Sequence, residues 1–484
     1  MSAPSSTQSA GESAGTAGHG LVTAPYALRW VVLAVVLAGQ CMDLMDSTIV
    51  NVAGPSIRRD LGGAASTLQW LSAAYTLAFA VLLVTGARLG DIFGRRRLFL
   101  VGSAGFTIAS AACAVATSPS LLIAFRAIQG GFGALLIPQG FGMLKEVFPE
   151  EEMPTVFSAY GPVLGLSSLA APILAGGLID ANLWATGWRM VFLINVPAGL
   201  FAFITAVKVL PRGATHAGTR LDVPGMLLVG GAFVAIIYPL IQGRAAGWPS
   251  WMFGLLAAGA VLLGVFVVYE QHRKQAPLIE PGLLKNRTYI SGIAVALAFF
   301  GAFSGLLLVV SLFCQLGEHF SPIHAGLTLV PMTIGMLAGM GLSFALVAKL
   351  GRHLLHIGIA LVAAGAVALA LSVTGAHSAS TWALAPSLLV IGVGAGSSFG
   401  KLFDFTLAGV AMNEVGSASG VLTAVQQLAA AIGVAVLGTI FFSRFAHSLP
   451  TDALATTAWV CLAPAVLAFL LVFRLPMHAR AGAQ

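Results

Sequence analysis

Charge is what this chain has least of: only 8% of its 484 residues are charged, where a soluble domain carries about a quarter. That scarcity excludes a soluble globular protein. A mean hydropathy of +0.94 and 58% hydrophobic residues read instead as a polytopic membrane protein. Cysteine is scarce too. Cys41, Cys113, Cys314 and Cys461 are far apart and make no CxxC or other ligand spacing, so neither a disulfide framework nor a metal site is expected. No Walker A sequence occurs, which leaves direct ATP hydrolysis without a phosphate-cradling loop. The formal charge of +7 would suit a nucleic acid only if it were gathered on one solvated face, and the basic residues lie in short loops between apolar runs. GSSFG, from Gly396 to Gly400, has the spacing of a nucleophile elbow but no strand before it and no acid and histidine in order after it. His353 and His356 form an HxxH pair with no further ligands. The chain therefore reads as a non-enzyme that uses no cofactor and no metal.

Apolar runs long enough to span a bilayer fall near 30–53, 67–87, 98–117, 121–143, 157–179, 190–210, 222–243, 250–270, 290–316, 325–347, 354–374, 382–403, 419–441 and 457–475. With the N-terminus in the cytoplasm, about 18 Lys and Arg fall inside and about five outside, so both termini are expected in the cytoplasm. The polar connections divide the chain into a disordered tail 1–28, a six-helix bundle 29–210, two linking spans with a cytoplasmic loop 211–288, a second six-helix bundle 289–476 and a tail 477–484. KLGRH, from Lys349 to His353, weakly echoes GDIFGRRR, from Gly90 to Arg97. Such an echo suits two halves related by an axis along the membrane normal, with a substrate site between them.

The few charges that do lie within spans are then informative. Asp43 and Asp46 stand at i and i+3 in the first span, on one helix face with Cβ atoms roughly 5–6 Å apart. A carboxylate there costs about 2.5–3.5 kcal/mol to insert and must face protein or water, which makes the pair a candidate proton site. Arg126 is the single basic residue within a span, about 10 Å from the outer face by its rise along the helix, and Asp46 lies at a matching depth. An Asp46–Arg126 pair is expected, either coupling protons or simply holding spans 1 and 4 together; Asp43 is either part of the same site or a hydrogen-bonding residue. In the loop between spans 2 and 3, Gly86, Asp91, Gly94 and Arg95 form a candidate conformational latch, since topogenic charge alone requires neither the glycine nor the acid. Span 5 carries Gly161, Gly165, Pro172 and Gly176, small residues and a proline that permit close helix packing or a hinge. Lys401 and Asp404 read as a local ion pair or a substrate contact.

Taken together, these stretches resemble the major facilitator superfamily, and within it the fourteen-span drug:proton antiporters of actinobacterial type. Asp46-Ser-Thr-Ile-Val-Asn-Val-Ala is similar to the span 1 sequence peculiar to that branch. Gly86 to Arg97 resembles the superfamily's loop 2–3 motif, and Arg126 with Gln129 and Gly130 its span 4 motif. Gln69, Trp70 and Tyr75, the segment Trp188-Arg189 to Asn195-x-Pro197, Gln315 with the following SPIHAGLTLVP, and the run from Gly416 to Gly438 match as well. Ala87 and Ala171 stand where the loop and span 5 motifs usually have glycine. The resemblance implies an all-α membrane protein of the major facilitator fold with 14 transmembrane helices in a 6 + 2 + 6 plan, lodged in the cell membrane. It implies a proton-driven exporter of lipophilic or amphipathic small molecules such as antibiotics, functional as a monomer, with no nucleic-acid partner. A dedicated exporter of one host metabolite and a proton-coupled importer are the alternatives. Gln40, Trp70, Tyr75, Gln129 and Gln315 are the expected cavity residues.

Overall fold

The computed structural model describes residues 26–211, 221–273, 278–411 and 414–478, apart from some side chains, most of them in the N-terminal half of the fifth long helix. Fourteen long helical segments follow one another: α1 Arg29–Leu61, α2 Ala65–Phe93, α3 Arg95–Ala114, α4 Pro119–Val147, α5 Met153–Ala181, α6 Gly187–Val209, α7 Val223–Gln242, α8 Ser250–His272, α9 Arg287–Gly317, α10 Pro322–Leu350, α11 His353–Val373, α12 Thr381–Leu407, α13 Val415–Phe445 and α14 Pro450–Val472. Thirteen of them are long and apolar enough to cross a membrane among the described residues; in α5 only the stretch Ala170–Ala181 is described fully enough to be judged apolar.

The helix boundaries follow from local chemistry. Ser118, Asp222, Asn286, Ser321 and Ser380 each accept a backbone N–H from the first turn of the helix they precede. Pro119, Pro322 and Pro450 open helices at the one place where a missing N–H costs nothing. Gly94, at φ +94°, allows the sharp turn from α2 into α3 that a side chain would strain. Two ends differ from the hydropathy reading. α1 runs on through Pro55 to Leu61 instead of stopping near 53, and α14 begins at Pro450 instead of near 457, because its first polar turn, PTDALATT, is still helical.

The packing repeats between halves. In the first half α2 packs on α4, α3 on α4, α1 on α5 and α3 on α6; in the second α10 packs on α12, α11 on α12, α9 on α13 and α11 on α14. The halves meet where α2 packs on α13 and where α5 packs on the start of α10, again two equivalent contacts. α7 lies against α2 and α13, and α8 lies outside it with only 17% of its most apolar window buried, as suits a helix facing lipid. Each half has its own apolar core, around Phe79, Phe99 and Phe106 in the first and Phe299, Phe313 and Phe405 in the second.

The candidate transport site

Glycines allow the first bundle to close around its charges. A Cβ at Gly130 would lie 2.2 Å from the Tyr75 carbonyl, and one at Gly86 would lie 2.2 Å from the Ala134 carbonyl, so α2 and α4 touch backbone to backbone. This contact sinks Arg126 of α4 against α2, where its Nε donates to the Leu71 carbonyl at 3.1 Å. Its Nη1 donates to Asp46 Oδ2 of α1 and to Gln129 Oε1 at 2.8 Å. Arg126 and Asp46 are both 0% exposed, so the pair is sealed from solvent.

The other oxygen of Asp46, Oδ1, accepts from the Gln129 amide at 2.9 Å and from the Asn195 amide at 2.8 Å. Asn195 comes from α6, two residues before Pro197, which has no N–H to satisfy the Leu193 carbonyl. Its amide also donates to Ser110 of α3 at 3.1 Å. Donors from α4 and α6 thus converge on one carboxylate of α1, which receives the hydrogen bonds that a buried anion needs.

Asp43, one turn earlier and half-buried, accepts from the Tyr75 hydroxyl. The Tyr75 ring lies under the Arg126 guanidinium, 4.4 Å from centroid to Cζ, so a single side chain touches Asp43 and the arginine that pairs with Asp46. A Cβ at Gly133 would come within 2.9 Å of the Tyr75 hydroxyl and 3.3 Å of Asp43 Oδ1; glycine leaves that space free.

Two expected cavity residues stand elsewhere. Tyr75 and Gln129 are both 0% exposed and belong to the charge network: the Gln129 amide is taken up by Asp46 and Arg126, and the Tyr75 hydroxyl by Asp43 while its ring packs on Arg126. Gln40 lines a small recess with Phe99, Leu136 and Ile137 inside the first bundle. Trp70 packs against Tyr238 of α7, with ring centroids 6.1 Å apart, and Gln315 donates to Ser311 at 3.3 Å. Asn195 was visible only as part of a matching segment, and Ser110 carried no signal; their rotation toward Asp46 is a tertiary fact.

The latch residues are tied within the first half. Arg95 reaches Asp91 of α2 at 3.1 Å and Glu146 of α4 at 3.5 Å, while the Gly86 carbonyl accepts from Gln139 at 2.7 Å. At the opposite end the halves are fastened to each other. Gln69 of α2 donates to the Ala435 carbonyl of α13 at 2.9 Å, and Asp180 of α5 accepts the Ile323 N–H at the start of α10 at 3.0 Å. Cβ atoms built at Gly176 and Gly326 would each stand 2.4 Å from a carbonyl across the α5–α10 contact, those of Pro322 and Pro172. Gly161 and Gly165 lie outside the described residues. Lys401 pairs locally with Asp404 at 2.9 Å and sits over Phe344. The Ser397 and Ser398 hydroxyls both turn back to the Gly394 carbonyl, and His356 packs on Phe469 and Phe473.

Comparison with known proteins agrees with this architecture. The chain is 49% identical over 423 residues to the probable actinorhodin transporter of Streptomyces coelicolor, covering 86% of this chain and 73% of that one. It is 35% identical to the puromycin resistance protein pur8 of Streptomyces alboniger over 92% and 91% of the two chains. It is 32% identical to the tetracenomycin C resistance and export protein of Streptomyces glaucescens over 87% and 77%. Among solved structures, an auto-inhibited POT family peptide transporter superposes with a TM-score of 0.71 at 13% identity, over 94% of this chain and 99% of that one, and shares the fold. Residues 36–434 match the model of the Major Facilitator Superfamily, to which this chain belongs.

Proposed function

We propose that this chain is a proton-coupled exporter of lipophilic or amphipathic small molecules, antibiotics among them, built on fourteen spans in a 6 + 2 + 6 plan with both termini in the cytoplasm. The observation that carries the reading is the sealed Asp46–Arg126 pair with its Gln129 and Asn195 donors. A buried ion pair is a poor way to stabilise a helix bundle, since desolvation offsets most of its attraction. It is an effective way to make a conformation depend on one proton.

On this reading Asp46 receives a proton from outside, its hold on Arg126 and Asn195 loosens, and the two halves rock. Release of the proton inside restores the pair. The contacts at Gln69, Asp180 and Gly176 form the outer gate, closed here, and Arg95 with Asp91 and Glu146 braces the cytoplasmic end of the first half. Tyr75 ties Asp43 to the same event. Gln40, Trp70 and Gln315 remain the side chains to test for substrate contact. No cofactor takes part; the proton gradient supplies the energy, and one chain suffices.

Relatives named for actinorhodin, puromycin and tetracenomycin C keep an exporter dedicated to one natural product as the alternative to a multidrug pump, for which other relatives are named. Everted vesicles energised by respiration test the whole reading. They are expected to accumulate a polycyclic antibiotic and release it when the proton gradient is collapsed. Loss of substrate from preloaded everted vesicles on energisation would make the chain an importer.

A further inference from the structure

The linking spans carry a second set of buried acids that the transport site does not use. Asp222, which caps α7, and Glu270, near the end of α8, are both 0% exposed. Asp222 Oδ1 is fully engaged. It accepts from the Gly225 N–H at 3.0 Å, from the Tyr269 hydroxyl at 2.9 Å and from Arg273 at 2.9 Å. Glu270 Oε2 accepts the Ile279 N–H from the loop beyond α8 at 3.2 Å. The remaining oxygens, Asp222 Oδ2 and Glu270 Oε1, have no hydrogen-bond donor. They converge: the position of a Cβ at Gly225 lies 2.4 Å from the first and 2.8 Å from the second.

Two acceptors that face each other in a buried place need something positive between them. The charged and titratable groups around them are Arg88 of α2, Tyr269 and Arg273 of α8 and its end, and Glu280 of the loop. α13, which also packs on α7, carries Arg444 at its opposite end, while Glu414, which precedes its first turn, stands against the same loop, its Oε1 3.1 Å from where a Cβ would lie at Gly282. Among the described residues the acids at this point, Asp222, Glu270 and Glu280, stand with two arginines, Arg88 and Arg273. Among the described residues no group of three or more candidate metal ligands gathers anywhere, so a coordinated ion lacks its donor set.

We propose that Asp222 and Glu270 hold one proton between Oδ2 and Oε1, forming a second proton-binding site on the cytoplasmic side of the linking spans, apart from the Asp46 site. With the proton in place Glu270 keeps the Ile279 amide, and the loop stays docked as it leads through buried Leu283 into α9. Without it the two carboxylates repel, Glu270 swings away and the loop is released. The linking spans then act as a cytoplasmic pH sensor attached to the first helix of the second half. This assignment rests on the orientation proposed above and not on the direction of transport.

Hydrogen exchange of the segment 278–286 in the purified protein, corrected for the intrinsic pH dependence of amide exchange, reads the docking directly. In the wild type the Ile279 amide should exchange about tenfold faster once the pH is high enough to remove the proton, the effect of losing one hydrogen bond to a charged group. A protonated-carboxyl infrared band should disappear over the same pH range. In Glu270→Gln the side-chain amide donates to Asp222 Oδ2 in the proton's place; in Asp222→Asn the amide donates to Glu270 Oε1. In each, that band should be missing and protection should stay flat with pH. Wild-type protection that does not change with pH would overturn the proposal, as would the same pH dependence in either variant. So would protection restored at high pH by added Mg2+.

Discussion

α1 and α9 make equivalent contacts in the two halves, α1 on α5 and α9 on α13, yet their interiors differ in kind. α1 has a mean hydropathy of 1.4 in its most apolar window and carries Asp43 and Asp46; α9 reaches 2.6, with 72% of that window buried and no acid within its length. Their partners follow suit. α4 brings Arg126 and Gln129 to α1, whereas α12 brings Phe399, whose ring lies 5.7, 4.8 and 5.4 Å from Phe299, Phe300 and Phe303. The helix packing is equivalent in the two halves, while the fully buried ion pair belongs to the first. On the proposed reading the first bundle handles the proton, and in the second the half-buried Phe399 ring, seated on the buried Phe299, Phe300 and Phe303, is the aromatic surface offered to a bulky apolar ligand.

That contrast can be broken most severely at the ion pair. Arg126→Ala leaves the Asp46 carboxylate sealed without its cation and should cost about 3–5 kcal/mol of stability, seen as a lower unfolding temperature in detergent. Next comes the symmetric frame. Gly176→Val and Gly326→Val press side chains onto carbonyls 2.4 Å away across the same interface, so both should lower export about tenfold or more while substrate binding persists. An effect from only one of them would mean that the two halves do not share the gate equally.

Smaller changes should separate the halves by readout. Tyr75→Phe removes the donor to Asp43 and should lower export by about tenfold, with a shifted pH profile. Phe399→Leu should weaken substrate binding by about threefold, the worth of one or two ring contacts, with no change in that profile. Lys401→Ala should leave export within about twofold, since the pair with Asp404 is local and partly exposed. A pH shift in Phe399→Leu would place proton chemistry in the second half and erase the distinction.

Much of this was legible in the chain itself. Hydropathy placed thirteen spans that the described residues bear out, because a bilayer demands a fixed apolar length, and counting residues from the helix ends brought Asp46 and Arg126 to one depth. What counting does not supply is rotation about each helix axis. Gln129 and Tyr75 read as amphipathic cavity side chains, but α4 and α2 turn them inward onto the ion pair. Asn195 reaches Asp46 because α6 packs on α1 and α3, and Asp222 meets Glu270 across 48 residues through the antiparallel packing of α7 and α8. Contacts between distant turns depend on how helices pack, which no local pattern records.

Transport by Asp46→Asn in everted vesicles tests the central claim most directly. The neutral amide keeps the shape and its oxygen still accepts from Arg126, which also donates to Gln129 and Leu71, so in a variant shown to fold by its unfolding temperature the protein should bind substrate and exchange labelled for unlabelled substrate down its gradient. Accumulation driven by the proton gradient should fall to the level of vesicles without the protein. Proton-driven accumulation at wild-type rates by this variant would contradict the account.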